Sequence, residues 1–348
     1  MKKQTIFFLV LNIIFSSFSF SQMGIENSSI KDSQLFSQQN ILSLKLNYSN
    51  KEVKNTKDDS TYVKTKVDYK LEDGQWKSLD VSIRKRGFSR LEICYFAPLR
   101  MKFNKSDIEN TIFEGNKKLK LVLPCLKESD NNDNVIKEYL GYKIYELVSP
   151  YYFKTRLVDI DYEEDKGKKT KTFNLKGILK EDDKKVAKRF DGKIFERESV
   201  NPYALDTLTS VRNAFYSYLI GNTDFSQSHL HNVKLIYIDK RIVPICYDFD
   251  MSGLVNSSYA AVSETVNITS VTDRTYRGFE RDQKVFYQVR SEFMANKSNI
   301  LKRIDDAKTL FENPKEFSAL RTFVLDFFDI LTNETKFKQH ILDKARNK

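Results

Sequence analysis

Six side chains between positions 219 and 253 have the types and spacing for metal-assisted chemistry. The stretch reads LIGNTDFSQSHLHNVKLIYIDKRIVPICYDFDMSG and carries Asp224, His229, His231, Asn232, Asp248 and Asp250. Residues 232–238 and 241–248 alternate apolar with polar, as two strands about Asp239-Lys240. A two-residue turn there pairs Ile238 with Arg241 and sets Asn232 opposite Tyr247, beside Asp248. The loop holding Asp224 runs directly into the first strand, so Asp224, Asn232, Asp248 and Asp250 are expected to meet at one end of one hairpin. A few carboxylates plus an amide oxygen suit Mg2+ or Mn2+, with phosphate oxygens completing the shell. Taken singly, Asp-Phe-Asp is a turn after an edge strand, and Asn-Thr-Asp an Asx-turn or a helix cap. Together and in this order they favour a metal–phosphate site.

A loop Asp, a strand-opening Asn, a hairpin and then Asp-Phe is also the order in which protein kinases present catalytic base and metal ligands. The stretch resembles the catalytic half of atypical kinases of the CotH-like (spore coat protein H) family. The similarity extends upstream through IRKRGFSR, APLRMKFNK, IKEYLGYKIYELV and TFNLKGILKEDD, and covers about 80–275. It implies transfer of the γ-phosphoryl of ATP, with Mg2+ or Mn2+, to a hydroxyl on a small molecule or an exported protein. Asp224 would be the catalytic Asp, Asn232 and Asp248 metal ligands, and Asp250 a further ligand or its neighbour. Lys102 or Arg86 would contact phosphate, with Glu138 pairing Lys102. Two departures stand out. Eight positions separate Asp224 from Asn232 where the protein-kinase loop has five, and residues 25–80 hold no Gly-rich loop, Gly74 being their only glycine.

Two rivals come from other chemistry. His229 and His231, two apart on a strand, share a face and could bind Zn2+ with Asp248 or Asp250, as in a metal-dependent hydrolase. His231 could instead orient the loop. The other rival is a non-catalytic binding or structural module of the cell envelope whose acidic cluster holds an ion only for order. Beyond Asp-Phe-Asp, residues 251–279 form a long polar stretch carrying Arg274 and Arg277. Both suit bidentate contact with phosphate or carboxylate, and Arg277 is expected to face the Asp248 cluster across a cleft.

The elements that must position these groups follow from periodicity. Segments between about 41 and 130 alternate as strands, residues 134–148 have helical spacing, and 153–165 with 170–182 form a hairpin about a Lys/Gly-rich turn. After 180 come a helix at 203–220, the short strand pair, and successive helices over 283–346. The expected class is α+β: a two-lobed atypical protein-kinase-like fold with an antiparallel β-rich N-terminal lobe (41–180) carrying one helix, and a mainly helical C-terminal lobe (181–348).

Residues 1–21 have two lysines, an apolar run and a Ser-x-Ser site, the layout of a secretory signal peptide, and 22–40 read as a flexible lead-in. The mature chain is therefore expected to be exported (periplasmic, cell-surface or secreted) with no transmembrane segment. Export permits a disulfide between Cys94 and Cys125; three free buried thiols are the alternative. Among 348 residues, Lys and Arg number 58 against 47 Asp and Glu, a net charge of +11. The basic residues are interleaved with acidic ones and no nucleic-acid reader motif occurs, so nucleic acid is not an expected partner.

Overall fold

The computed structural model describes residues 33–58, 60–87, 89–128, 131–262 and 266–347. The expected signal peptide and most of the lead-in lie outside them. Residues 34–37, also assigned to the lead-in, form helix α1 (Gln34–Ser37), whose Leu35 and Phe36 are buried.

Seven strands come first: β1 (Leu42–Tyr48), β2 (Val63–Lys70), β3 (Trp76–Lys85), β4 (Leu99–Lys102), β5 (Lys118–Val122), β6 (Thr155–Asp165) and β7 (Thr170–Glu181). Alternate burial is clear in β1–β4, while β5 and the adjoining parts of β6 and β7 are covered on both faces. In β1, Leu42, Leu44, Leu46 and Tyr48 point inward while Lys45 and Asn47 face water, the period-2 pattern of a one-sided strand. Between them lie the short helices α2 (Asn50–Lys54), α3 (Ser89–Ile93) and α4 (Lys105–Ile108), then α5 (Asn131–Val148).

The strands close into a barrel in the order β1-β2-β3-β4-β5-β7-β6. Six of the seven pairings are antiparallel; β1 joins β6 in parallel, from Leu42 opposite Val158 to Tyr48 opposite Glu164. This corrects the two-lobed, kinase-like expectation, which requires an open N-terminal sheet. Alternation fixes which face of β1 is buried, but not which strand covers its free edge. Here β6 covers it, so no barrel strand keeps an open edge.

The barrel has its own core, including Leu44, Val67, Ile83, Met101, Leu121 and Leu179. A second core lies outside it, where α5 packs between the barrel and the C-terminal half. That half comprises α6 (Asp183–Arg189), β8 (Lys193–Ile194), α7 (Thr207–Leu219), β9 (Val233–Ile238), β10 (Arg241–Cys246), α8 (Gln283–Ala295), α9 (Lys297–Asp305), α10 (Pro314–Thr332) and α11 (Glu334–His340). Among the described residues no helix is long and apolar enough to cross a membrane.

Cys94 and Cys125 are joined in a disulfide. They lie in the segments following α3 and β5, and the Tyr95 N–H donates to the Cys125 carbonyl at 2.7 Å. Cys246 is buried, and burial pushes its thiol up to about 12.

Candidate functional site

The hairpin β9–β10 has the register expected from a two-residue turn: Arg241 pairs with Ile238 and Cys246 with Val233. Asp239 and Lys240 both adopt positive φ, as a type I′ turn requires. One step beyond the ladder, the Tyr247 N–H donates to the Asn232 carbonyl at 3.0 Å. Asn232 and Asp248 therefore flank the hairpin end side by side, both at positive φ, a region that Asn and Asp adopt more readily than other non-glycine residues and that their surroundings help to hold.

Helix α5 supplies those surroundings. Its Tyr145 hydroxyl accepts from the Cys246 N–H at 3.2 Å, and three residues earlier the Tyr142 hydroxyl accepts from the Asp248 N–H at 3.0 Å. Phe249 packs against the rings of Tyr142 and Tyr216. Gly141 permits this approach, because a Cβ there would sit 3.1 Å from Phe249. Asp250 is buried, and its carbonyl accepts from the Ser257 hydroxyl at 3.1 Å.

Asp224 meets Asn232 directly: the Asn232 amide donates to the Asp224 carboxylate at 3.0 Å and to its carbonyl at 2.8 Å. The long interval between them is taken up by a tight loop in which Ser226 and His231 exchange backbone hydrogen bonds at 3.1 Å. His231 Nε2 lies 2.9 Å from the other Asp224 oxygen. That bond raises the imidazole above its ordinary value; partial burial opposes it, and the Asp224 and Asp248 carboxylates add to it. The Arg277 guanidinium acts on His231 as well and donates to the Thr223 carbonyl. Asp224, His231, Asn232, Asp248 and Arg277 thus share one locality. Arg274 does not belong to it: it lies over the Phe323 ring at 3.6 Å and donates to the Tyr218 and Leu219 carbonyls at the end of α7.

On the other side of Asp248 stands a row of cations that the sequence reading did not single out. Across the outer barrel face, Arg84 pairs with Arg100, Arg100 with Lys120, and Lys120 with Lys180. Like charges directly opposite one another destabilise a sheet, so such a row needs anions. Lys120 has Asp183 as ion-pair partner. Burial pushes the Asp183 carboxyl up, but Lys120 and Lys180 outweigh it and hold it below its ordinary value. Lys180 has no exposed surface. It donates to the Tyr142 hydroxyl at 3.3 Å and lies over the rings of Tyr247 and Phe153 at 4.6 and 4.7 Å. Burial, then Lys120 and Arg86, push its ammonium well below the ordinary lysine range, against the pull of Asp248 and Asp183. Arg86 and Arg100 each keep a buried Nε with no hydrogen-bond acceptor among the described residues.

Arg86 accordingly lies beside this row, in the field of Lys120, Lys180 and Tyr142. Lys102 is exposed instead, over the Tyr62 ring at 5.4 Å. Glu138 is buried on α5 one turn before Tyr142, so Lys102 and Glu138 are not a pair. The pattern KLKLVL did carry a signal for Lys120, since alternation places it opposite Leu119 and Leu121. What it lacked was any sign that this outer face is covered.

Among the described residues no three His, Cys, Asp or Glu side chains form a ready-made metal cage. His229 Nδ1 lies 3.1 Å from the Ser228 hydroxyl, and positive φ at Leu230 turns it away from a shared strand face with His231. Catalytic zinc needs three protein ligands, and this donor set does not supply them. Asp248 with Asn232 fits a harder cation that takes its remaining ligands from phosphate and water.

No protein-family model matches the chain, and no curated protein matches its sequence.

Proposed function

We propose that the chain is an exported phosphotransferase with the site logic of the CotH-like family, moving the γ-phosphoryl of ATP to an acceptor hydroxyl. One observation supports this most: Asp248 acts both on a row of cations, with Lys120 and Lys180 buried and an unsatisfied Nε–H on half-buried Arg86 and Arg100, and on the Asp224–Asn232–His231 cluster. The first suits a polyphosphate and the second an acceptor hydroxyl. Arg86, Arg100, Lys120 and Lys180 would hold the phosphates. Asp224 would accept the hydroxyl proton as the acceptor oxygen bonds to the γ-phosphorus and the bond to the β–γ bridging oxygen breaks, releasing ADP. Mg2+ or Mn2+, held by Asp248 and Asn232, would neutralise charge on the phosphates.

Transfer of label from γ-labelled ATP tests this reading. Asp224→Asn and Asp248→Ala should each reduce transfer by about 100-fold or more. An Asp248→Ala protein that binds nucleotide and transfers phosphate like the wild type would refute it. One observation favours the non-catalytic module instead: both Asp224 carboxylate oxygens are already engaged, by His231 and Asn232. A ligand that binds only the native state raises the melting midpoint. A rise with Mg2+ and nucleotide supports the enzyme, whereas a rise with Ca2+ alone and no response to nucleotide supports the module.

A further inference from the structure

Asp224 opens onto a cavity of about 980 Å³, and it is the one carboxylate among the residues lining it. The positive groups there outnumber it. Arg277 and Arg346 both line the cavity, and Arg281 flanks it, lying over the Tyr203 ring at 4.6 Å and donating to the Pro202 carbonyl at 2.6 Å. None of the three forms an ion pair with a carboxylate among the described residues, although Arg277 lies in the field of Asp224. Arg277 is held by the Thr223 carbonyl and Arg346 by the Arg277 carbonyl, so most of their ten N–H donors remain unspent. The Arg346 Nε is buried without an acceptor. Arg346 is also a placed residue rather than a loose tail: its backbone bridges Gly278 and Glu280 at 2.9 and 2.8 Å, and its guanidinium lies over the Phe279 ring at 4.2 Å. Tyr203, which also lines the cavity, is 47% exposed.

We infer that this cavity receives the acceptor, and that the acceptor is a serine- or threonine-bearing peptide with acidic side chains beside the hydroxyl. The inference rests on the phosphotransferase reading for the role of Asp224, but the charge argument stands apart from it. A lone Asp224 would favour a cationic partner; with Arg277 in its field, Arg346 and Arg281 beside it still leave the site net positive and offer forked donors that match carboxylates. The volume holds several residues rather than a single small acid.

The test uses the full chain and two fluorescent peptides sharing one serine, flanked in one by aspartates and in the other by lysines. Anisotropy without nucleotide should show the acidic peptide binding at least about tenfold tighter, with the preference shrinking at high salt. Arg346→Ala should bring the acidic peptide down to the level of the lysine peptide. Arg346→Lys, which keeps the charge and loses the fork, should fall between, and circular dichroism of both variants separates lost binding from lost folding. Equal binding of the two peptides by the wild-type protein overturns the inference whatever the variants do. Phosphoryl transfer is measured on the same pair. Discrimination in binding with transfer to neither peptide would leave an acidic-peptide site and refute the phosphotransferase. Transfer to both alike would do the reverse.

Discussion

An ammonium without exposed surface costs several kcal/mol to bury, and Lys180 offsets only part of that, with one hydroxyl at 3.3 Å, the faces of three rings and the field of Asp248 and Asp183. Lys180→Met keeps the shape and removes the charge, so it should stabilise the fold by about 1–3 kcal/mol while weakening the response to Mg2+-nucleotide. The sign with pH follows from the depressed ammonium. Between its folded pKa and the ordinary lysine value of about 10.4, the unfolded chain holds a proton that the folded chain has released, so wild-type stability rises with pH. The advantage of the variant should therefore narrow as pH rises toward the ordinary lysine value in urea titrations. An advantage that does not change with pH would mean that Lys180 ionises as lysines ordinarily do. At this scale the sequence was legible where chemistry and spacing coincided, at Asp224, Asn232 and Asp248. Lys102 and Lys180 occupy equally alternating strands, and what separates them is burial by distant segments. Arg274 and Arg277 look alike in sequence, yet one caps a helix end and the other lines a cavity.

Helix α5 acts as a rack for the hairpin exit, through two hydroxyls spaced by less than one turn. Tyr142→Phe removes the atom that accepts from both the Asp248 N–H and Lys180, leaving buried donors unsatisfied. It should cost about 1–3 kcal/mol in stability and reduce phosphoryl transfer more than it reduces folding. A variant that melts earlier but turns over normally would show that Asp248 needs no such support. The hairpin itself was readable to the residue, because period-2 alternation and a two-residue turn leave one register. The role of α5 was not, since tyrosine hydroxyls reaching over to another element's backbone leave no periodic trace. Nor was the short pairing of Ser226 with His231, which makes the longer interval before Asn232 harmless to its contact with Asp224.

Across the whole molecule, the disulfide closes a 31-residue separation that includes β4 and β5, and with them Arg100 and Lys120. In the chain-entropy view, opening it should lower stability by about 3–4 kcal/mol. Thermal melts with and without reductant, alongside Cys94→Ser/Cys125→Ser, measure this, and unchanged midpoints would make the bond dispensable. Individual strands and helices were visible in the sequence, whereas barrel closure was not. The pairing that completes it joins Leu42 to Val158 across more than a hundred residues, and nothing local in either strand specifies the other.

That closure bears on how the protein would move. An open sheet can twist or splay at its edges, and a lobe built on one can rock over a bound ligand. A ring of strands has no such freedom, since each strand is clasped on both sides and opening any seam breaks a ladder. The cation row lies on this stiff wall. Whatever shuts over a ligand and later releases it must belong to the opposite bank, where residues 251–262 and 266–282 lie between the hairpin and α8 largely without regular structure. Turnover in this molecule would then be timed by a loop working against a fixed anvil.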